Sequence, residues 1–294
     1  MATTNTNLNS AFLLCEFNAS VWTARKLDRK QTDNVIISTT ARSKGAARVN
    51  KNLLAGRPEL DEIQKLVTEA RNFVYDNTFP WTDGGVRLIA TTRFMKFDAA
   101  LEEYRGRFNA LTDAFCTLYP TLITAQAMSL GTMFDRSEFP MADVIRQKFA
   151  FSVEYGPVPT SGDLRVDVID ALQEELKAKV QDATERRAKQ VVDALEAKLT
   201  DHLERMKDRL TTDIGENPEL KPRRFHDTLV SGAFDLCTLL KDYNLFQSDK
   251  LRTTREMLEA TLSGVSPKDL RDDYAKREDV RKNVTALLTR MSIT

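Results

Sequence analysis

Two histidines and three cysteines among 294 residues leave little material for a metal centre or a thiol chemistry. His202 and His226 form no HExxH, and neither has a glutamate three residues before it, as the Glu-x-x-His units of di-iron bundles require. Asp201 and Glu204 flank His202, so it reads as a solvated residue on a helix. Cys15, Cys116 and Cys237 stand far apart and form no CxxC, a sparse and odd set that suits a reducing compartment. A fold that brings Cys237 to His226 is conceivable, but Cys237 lies on the apolar stripe of a helix and reads as a buried structural thiol. No G-x-S-x-G, no G-x-x-x-x-G-K-[ST] and no G-x-G-x-x-G is present, which excludes a nucleophile elbow and the phosphate loops of those types. The acid pairs Glu102-Glu103 and Asp272-Asp273 are adjacent in sequence, and adjacent residues do not share a helix face. No catalytic residue, metal ligand or cofactor is therefore predicted, and a non-enzymatic chain is expected.

Eleven glycines and nine prolines are too few for an all-β chain of many turns. No apolar run approaches membrane-spanning length. The start, Met1 to Ser10, is polar and lacks the basic region of a signal peptide, so a cytoplasmic protein is expected and the sequons at Asn18 and Asn283 are expected to stay bare.

What the chain does have is charge and helical period. Hydrophobic residues make up 41%, enough for a core, and charged residues 29%, a share that long exposed helices would absorb. Residues 1–10 read as a tail. Leu13, Cys15, Phe17, Ala19 and Val21 alternate as in a strand. Residues 25–57 read as polar, basic loop with short helix. Arg57-Pro58-Glu59 opens a helix whose stripe is Leu60, Ile63, Val67, Ala70 and Val74. The run Phe79 to Gly85 breaks it. Val86, Leu88, Ala90, Thr92 and Phe94 give a second alternation, and Asp98 is placed to cap a helix carrying Leu101, Tyr104, Phe108, Leu111, Phe115 and Leu118. Pro120 is expected to restart a further helix. Phe149, Phe151, Val153 and Tyr155 give a third alternation.

From Asp167 to Asp213 there is no glycine and no proline. Ile169, Leu172, Leu176, Val180 and Ala183, then Val192, Leu195, Leu199, Leu203, Met206 and Leu210, form a stripe with a mean spacing near 3.6 rather than 3.5. A long amphipathic, coiled-coil-like helix is predicted. Exposed, that stripe would need a second helix or a second chain, so self-association through Leu172, Leu176, Leu195, Leu199, Leu203 and Leu210 is expected. Gly215 and Pro218 end the helix. Helices follow, one opened by Ser266-Pro267-Lys268-Asp269, a serine cap with an acid three residues on.

The expected fold is α+β and predominantly α-helical. A small antiparallel sheet from strands near 12–22, 86–97 and 150–158 packs on helices within 11–165, the long helix spans 166–214, and 215–294 is helical.

The net charge is zero, but it is unevenly spread: residues 1–57 hold nine basic residues and three acids, a net of +6 against −6 for the rest. Within that segment Arg42, Lys44, Arg48 and Lys51 are candidates for phosphate contacts, with a solvated loop or a docking arm as the plainer reading. Trp81, in a Pro/Gly turn, reads either as cover for the core edge or as an anchor for a partner.

Ser20-Val21-Trp22-Thr23-Ala24-Arg25-Lys26-Leu27, then Gly45-Ala46-Ala47-Arg48-Val49-Asn50-Lys51, then Pro80-Trp81 with Gly85-Val86-Arg87-Leu88, resemble an uncharacterised family of bacteriophages and conjugative mobile elements. Members are often encoded beside a MoxR-type AAA+ ATPase, sometimes labelled a cobalt-chelatase subunit, and a von Willebrand A-domain protein. The resemblance covers most of the chain. It implies a phage or mobile-element origin, a place in the host cytoplasm and an AAA+ ATPase as partner, and it carries over no catalytic residue. The expected function is a non-enzymatic accessory or assembly protein acting through protein contacts. The alternative is a nucleic-acid-binding protein of phage replication, recombination or packaging that uses the basic N-terminal segment.

Overall fold

The computed structural model describes residues 8, 10–39, 43, 45–159, 170–211, 224–243 and 248–292. Of the described residues 69% are helical, and a small antiparallel four-stranded sheet packs against helices. The strands are β1 (Phe12–Ser20), β4 (Phe79–Pro80), β5 (Val86–Ala90) and β6 (Ala150–Pro157), in the order β4-β5-β1-β6. A second, two-stranded sheet pairs β2 (Arg25–Leu27) antiparallel with β3 (Asn50–Asn52). The helices in chain order are α1 (Arg29–Ser38), α2 (Pro58–Asn77), α3 (Thr91–Leu130), α4 (Ala142–Arg146), α5 (Asp170–Arg209), α6 (Thr228–Asp242), α7 (Asp249–Leu262), α8 (Asp269–Asp272) and α9 (Tyr274–Ser292).

The chain forms two compact units: 1–15 with 77–95 and 155–294, and 16–76 with 96–154. These are interleaved in sequence, where composition suggests the contiguous blocks 11–165, 166–214 and 215–294: the chain passes from one unit to the other within β1, at the end of α2, within α3 and within β6.

In the first unit the stripe of α5 forms the core. Val191, Leu195, Leu199, Leu203, Met206 and Leu210 are all buried, packed with Val230, Leu236, Leu239 and Leu240 of α6, Leu258 and Leu262 of α7, and Val280, Val284 and Leu287 of α9. The helix is 40 residues long, so it spans about 60 Å. Its apolar face from Val191 onward is covered by helices of the same chain, which corrects the expectation that Leu195, Leu199, Leu203 and Leu210 mediate self-association. Leu176 is half-buried. The side chain of Leu172 lies outside the described residues.

At the sheet end of this unit, Tyr243 donates its hydroxyl to the Leu88 carbonyl oxygen at 2.9 Å and lies 4.8 Å, ring to ring, from Phe79. Burial of this kind is tolerable because the hydroxyl finds an acceptor.

The second unit packs α2 against α3. Leu60, Ile63, Leu66 and Val67 of α2 meet Phe108, Phe115, Tyr119, Leu122 and Ile123 of α3, with Phe139, Ile145 and Phe149 closing the cluster. Proline opens α2 at Pro58, as its missing N–H permits.

Two expectations here are corrected. The alternation through 86–97 overruns the strand: β5 stops at Ala90 and α3 begins at Thr91, whose Oγ1 donates to the Ala11 carbonyl oxygen at 3.0 Å. Phe94 and Asp98 therefore lie inside the helix, and Phe94, Phe97 and Leu101 follow a three-and-four spacing. Pro120 does not restart a helix, because α3 runs through it for 40 residues, forfeiting one backbone bond.

Candidate functional site

The basic segment from residue 42 to residue 51 divides on inspection. Arg42 and Lys44 lie outside the described residues. Arg48 is exposed. Lys51 is only 6% exposed, and its ammonium donates to the Met133 carbonyl oxygen at 2.6 Å and sits 2.5 Å from Glu138 Oε2. That contact with Glu138 is an ion pair rather than an aligned hydrogen bond. Lys51 points the opposite way from Asn50 and Asn52 because side chains alternate along β3. It is a structural cation, not a phosphate ligand.

Trp81 is 3% exposed and is excluded as a surface anchor. Its backbone N–H donates to the Val86 carbonyl oxygen at 2.9 Å across the β4–β5 turn, and the Arg187 guanidinium lies 5.5 Å above the ring. The turn is closed by Gly85 at φ +98°, a conformation that favours glycine.

His202 is buried, contrary to the solvated position expected from its acidic neighbours. Its Nε2 lies 3.2 Å from the Leu229 carbonyl oxygen, so that nitrogen carries the proton and donates. Burial holds its pKa below the usual histidine value. Cys237 is buried and its thiol is pushed up to about 11, mainly by desolvation, while His226 is exposed. The two make no nucleophile–base pair. Among the described residues no cluster of three or more His, Cys, Asp or Glu is placed to hold a metal ion, and no helix is long and apolar enough to cross a membrane.

Two surfaces of the second unit stand out. The first is the segment from the end of α3 to α4. Met128 is 90% exposed and Met141 75%, with Met133 and Val144 also exposed. The backbone beneath them is well fixed. The Phe134 and Phe139 rings pack in a tilted arrangement at 5.4 Å, Tyr119 donates its hydroxyl to the Pro140 carbonyl oxygen at 3.1 Å, and Arg136 donates to the Phe139 carbonyl oxygen. Asp135 accepts from the Ser137 N–H at 2.9 Å and from its hydroxyl at 2.7 Å, which holds its carboxyl below the usual range. Burial pushes the Tyr119 phenol up to about 12.

The second surface is a groove of about 410 Å³ between α2 and the strand ends at β1 to β3. Arg57, Asp61, Gln64, Thr68 and Arg71 line one side, spaced three and four apart along α2, and Thr23, Arg25 and Asn52 line the other. None of the three arginines has a carboxylate within ion-pair distance among the described residues. Asn52 Oδ1 accepts from the Leu54 N–H at 3.1 Å, which leaves its amide N–H groups to face the groove. Arg25 and Arg57 were part of the basic excess visible in the sequence. Arg71 lies outside that excess, and only the polar spacing from Arg57 to Arg71 marks it, as part of a solvent-facing helix stripe.

No family model, no curated protein and no solved structure matches the chain.

Proposed function

We propose that this chain is a non-enzymatic accessory protein that works by holding a protein partner, with a MoxR-type AAA+ ATPase as the partner the resemblance implies. The observation that carries this reading is the methionine surface: Met128, Met133, Met141 and Val144 exposed on a segment whose other side is pinned by Tyr119, Phe139 and the Lys51–Glu138 pair. Methionine is flexible and polarizable, so an exposed methionine adapts to a facing surface. A fixed backbone beneath them lowers the entropy lost on docking. Co-expression with a MoxR-type AAA+ ATPase of the kind the resemblance implies, purified with nuclease present, tests the reading. A complex should form with or without nucleotide, and Met128→Lys with Met141→Lys should abolish it while leaving the fold intact. Failure to co-purify in either nucleotide state, or a complex indifferent to both substitutions, would overturn it.

A further inference from the structure

We infer that the groove between α2 and the β2–β3 sheet is a phosphate-backbone site for a single strand of nucleic acid, independent of the methionine surface. Arg25, Arg57 and Arg71 line it, and none has a carboxylate within ion-pair distance among the described residues. Elsewhere in the same unit Lys51, Arg105, Arg107 and Arg146 each pair with an acid. Guanidinium forks left without carboxylates in a concave, polar site suit oxyanions, which they bind in pairs of parallel hydrogen bonds.

The spacing selects the ligand. Arg57, immediately before α2, and Arg71, within it, are fourteen residues apart, about 20 Å along the helix direction. No single phosphate reaches both, so the ligand carries phosphates in a row. The groove has the volume of a small-molecule cleft. It admits one strand, whereas a duplex would rest on its rim. Asp61, in the first turn of α2, and the Thr68 hydroxyl oxygen, midway along it, offer acceptors. A base amine or a sugar hydroxyl can donate to them. No aromatic residue lines the groove. Stacking therefore contributes nothing there, and binding should be indifferent to sequence and steep in salt.

The experiment is a fluorescence-anisotropy titration of the full chain with a short fluorescein-labelled single strand across a salt series. A duplex of the same sequence and a polyglutamate peptide serve as parallel arms. The single strand should bind more tightly than either. Arg25→Gln, Arg57→Gln and Arg71→Gln together should weaken it about tenfold or more at low salt and flatten the log–log salt slope by about 2, at roughly 0.7 per phosphate contact. The double variant Arg25→Gln/Arg71→Gln changes only exposed side chains and should flatten the slope by about 1.4 even if the triple variant folds poorly. Lys65→Gln, exposed on α2 outside the groove, should bind as the unaltered chain does. No binding of the single strand at low salt, affinity unchanged in the double variant, or tighter binding of polyglutamate would overturn the assignment. None of these outcomes bears on the proposed ATPase complex, which is tested in the presence of nuclease.

Discussion

Arg277 of α9 donates from Nε to the Leu210 carbonyl oxygen at 3.1 Å and from Nη2 to the Arg209 carbonyl oxygen at 2.6 Å. A helix ends with carbonyls that have no partner in the next turn, and here a side chain from another helix supplies the donors. The arginine is 3% exposed, and its guanidinium also lies 5.4 Å from the Phe225 ring, so the cap is built into the core.

Removing that cap should be costly. Arg277→Ala strips the buried Leu210 carbonyl and the part-buried Arg209 carbonyl of these donors and leaves a void beside Phe225. A loss of about 2–4 kcal/mol is expected from unsatisfied polar groups and lost packing. Arg277→Lys cannot form the fork and should recover less than half. Urea unfolding followed by far-UV circular dichroism measures both, and a loss under about 1 kcal/mol for the alanine variant would refute the cap.

The burial of the α5 stripe leads to a second expectation. Leu203 is fully buried among helices of its own chain. Leu203→Ala should therefore cost about 2–5 kcal/mol through lost transfer energy and a cavity. It should leave the oligomeric state unchanged. Light scattering should give the same mass for both proteins, 33.3 kDa if the chain is monomeric. Dissociation of an oligomer by this substitution would show that the stripe faces a second copy after all.

Local signals in the sequence reported faithfully where one element decides its own geometry. Pro58 opens α2, and Ser266 and Asp269 form the reciprocal box, with the Asp269 N–H on Ser266 Oγ and the Ser266 N–H on Asp269 Oδ2, both at 3.1 Å. Signals failed where the competing partner is distant in sequence. The α5 stripe was legible as apolar, but nothing in it says that α6, α7 and α9 return to cover it. The acids beside His202 suggest solvent and are themselves exposed, yet the ring between them is buried and meets the Leu229 carbonyl oxygen of α6. Lys51 looked like one of a basic run because Glu138, which takes its charge, stands 87 residues on. The arginine groove was half-visible for the same reason: Arg25 and Arg71 meet only because β2 and α2 are neighbours in space.

Lys51 should act on stability and not on nucleic acid. Lys51→Met keeps the stem but leaves Glu138 and the Met133 carbonyl oxygen without their cation, so a loss of about 1–3 kcal/mol is expected. The double variant with Glu138→Gln should recover part of it, because the stranded charge is gone. Thermal melts of the two variants measure this. Strand binding should change by less than twofold in Lys51→Met, and a larger fall would return Lys51 to the binding surface.

Gly232 and His202 make the most discriminating pair. Gly232 sits inside α6, where alanine would ordinarily stabilise by about 1 kcal/mol. A Cβ placed there would lie 3.2 Å from His202 Cε1, and that ring is held by its hydrogen bond to the Leu229 carbonyl oxygen. The ring cannot retreat without breaking the bond, so Gly232→Ala should destabilise by about 1 kcal/mol in spite of its helix propensity. With His202→Ala in place the clash disappears, and the same substitution should stabilise. The double-mutant cycle should therefore return a coupling of about 2 kcal/mol. His202 also sets a pH dependence. Its folded pKa lies below the unfolded value of about 6.5, so the unfolded chain takes up the proton first on acidification. The stability contributed by the neutral ring is complete above that value and declines as pH falls through it toward the folded pKa. The melting temperature should accordingly drop as the pH falls below about 6.5, and the drop should shrink in His202→Gln, which keeps a donor but does not titrate. A Gly232→Ala variant that melts higher than the parent, or an acid-induced drop of equal size in His202→Gln, would rule out this packing.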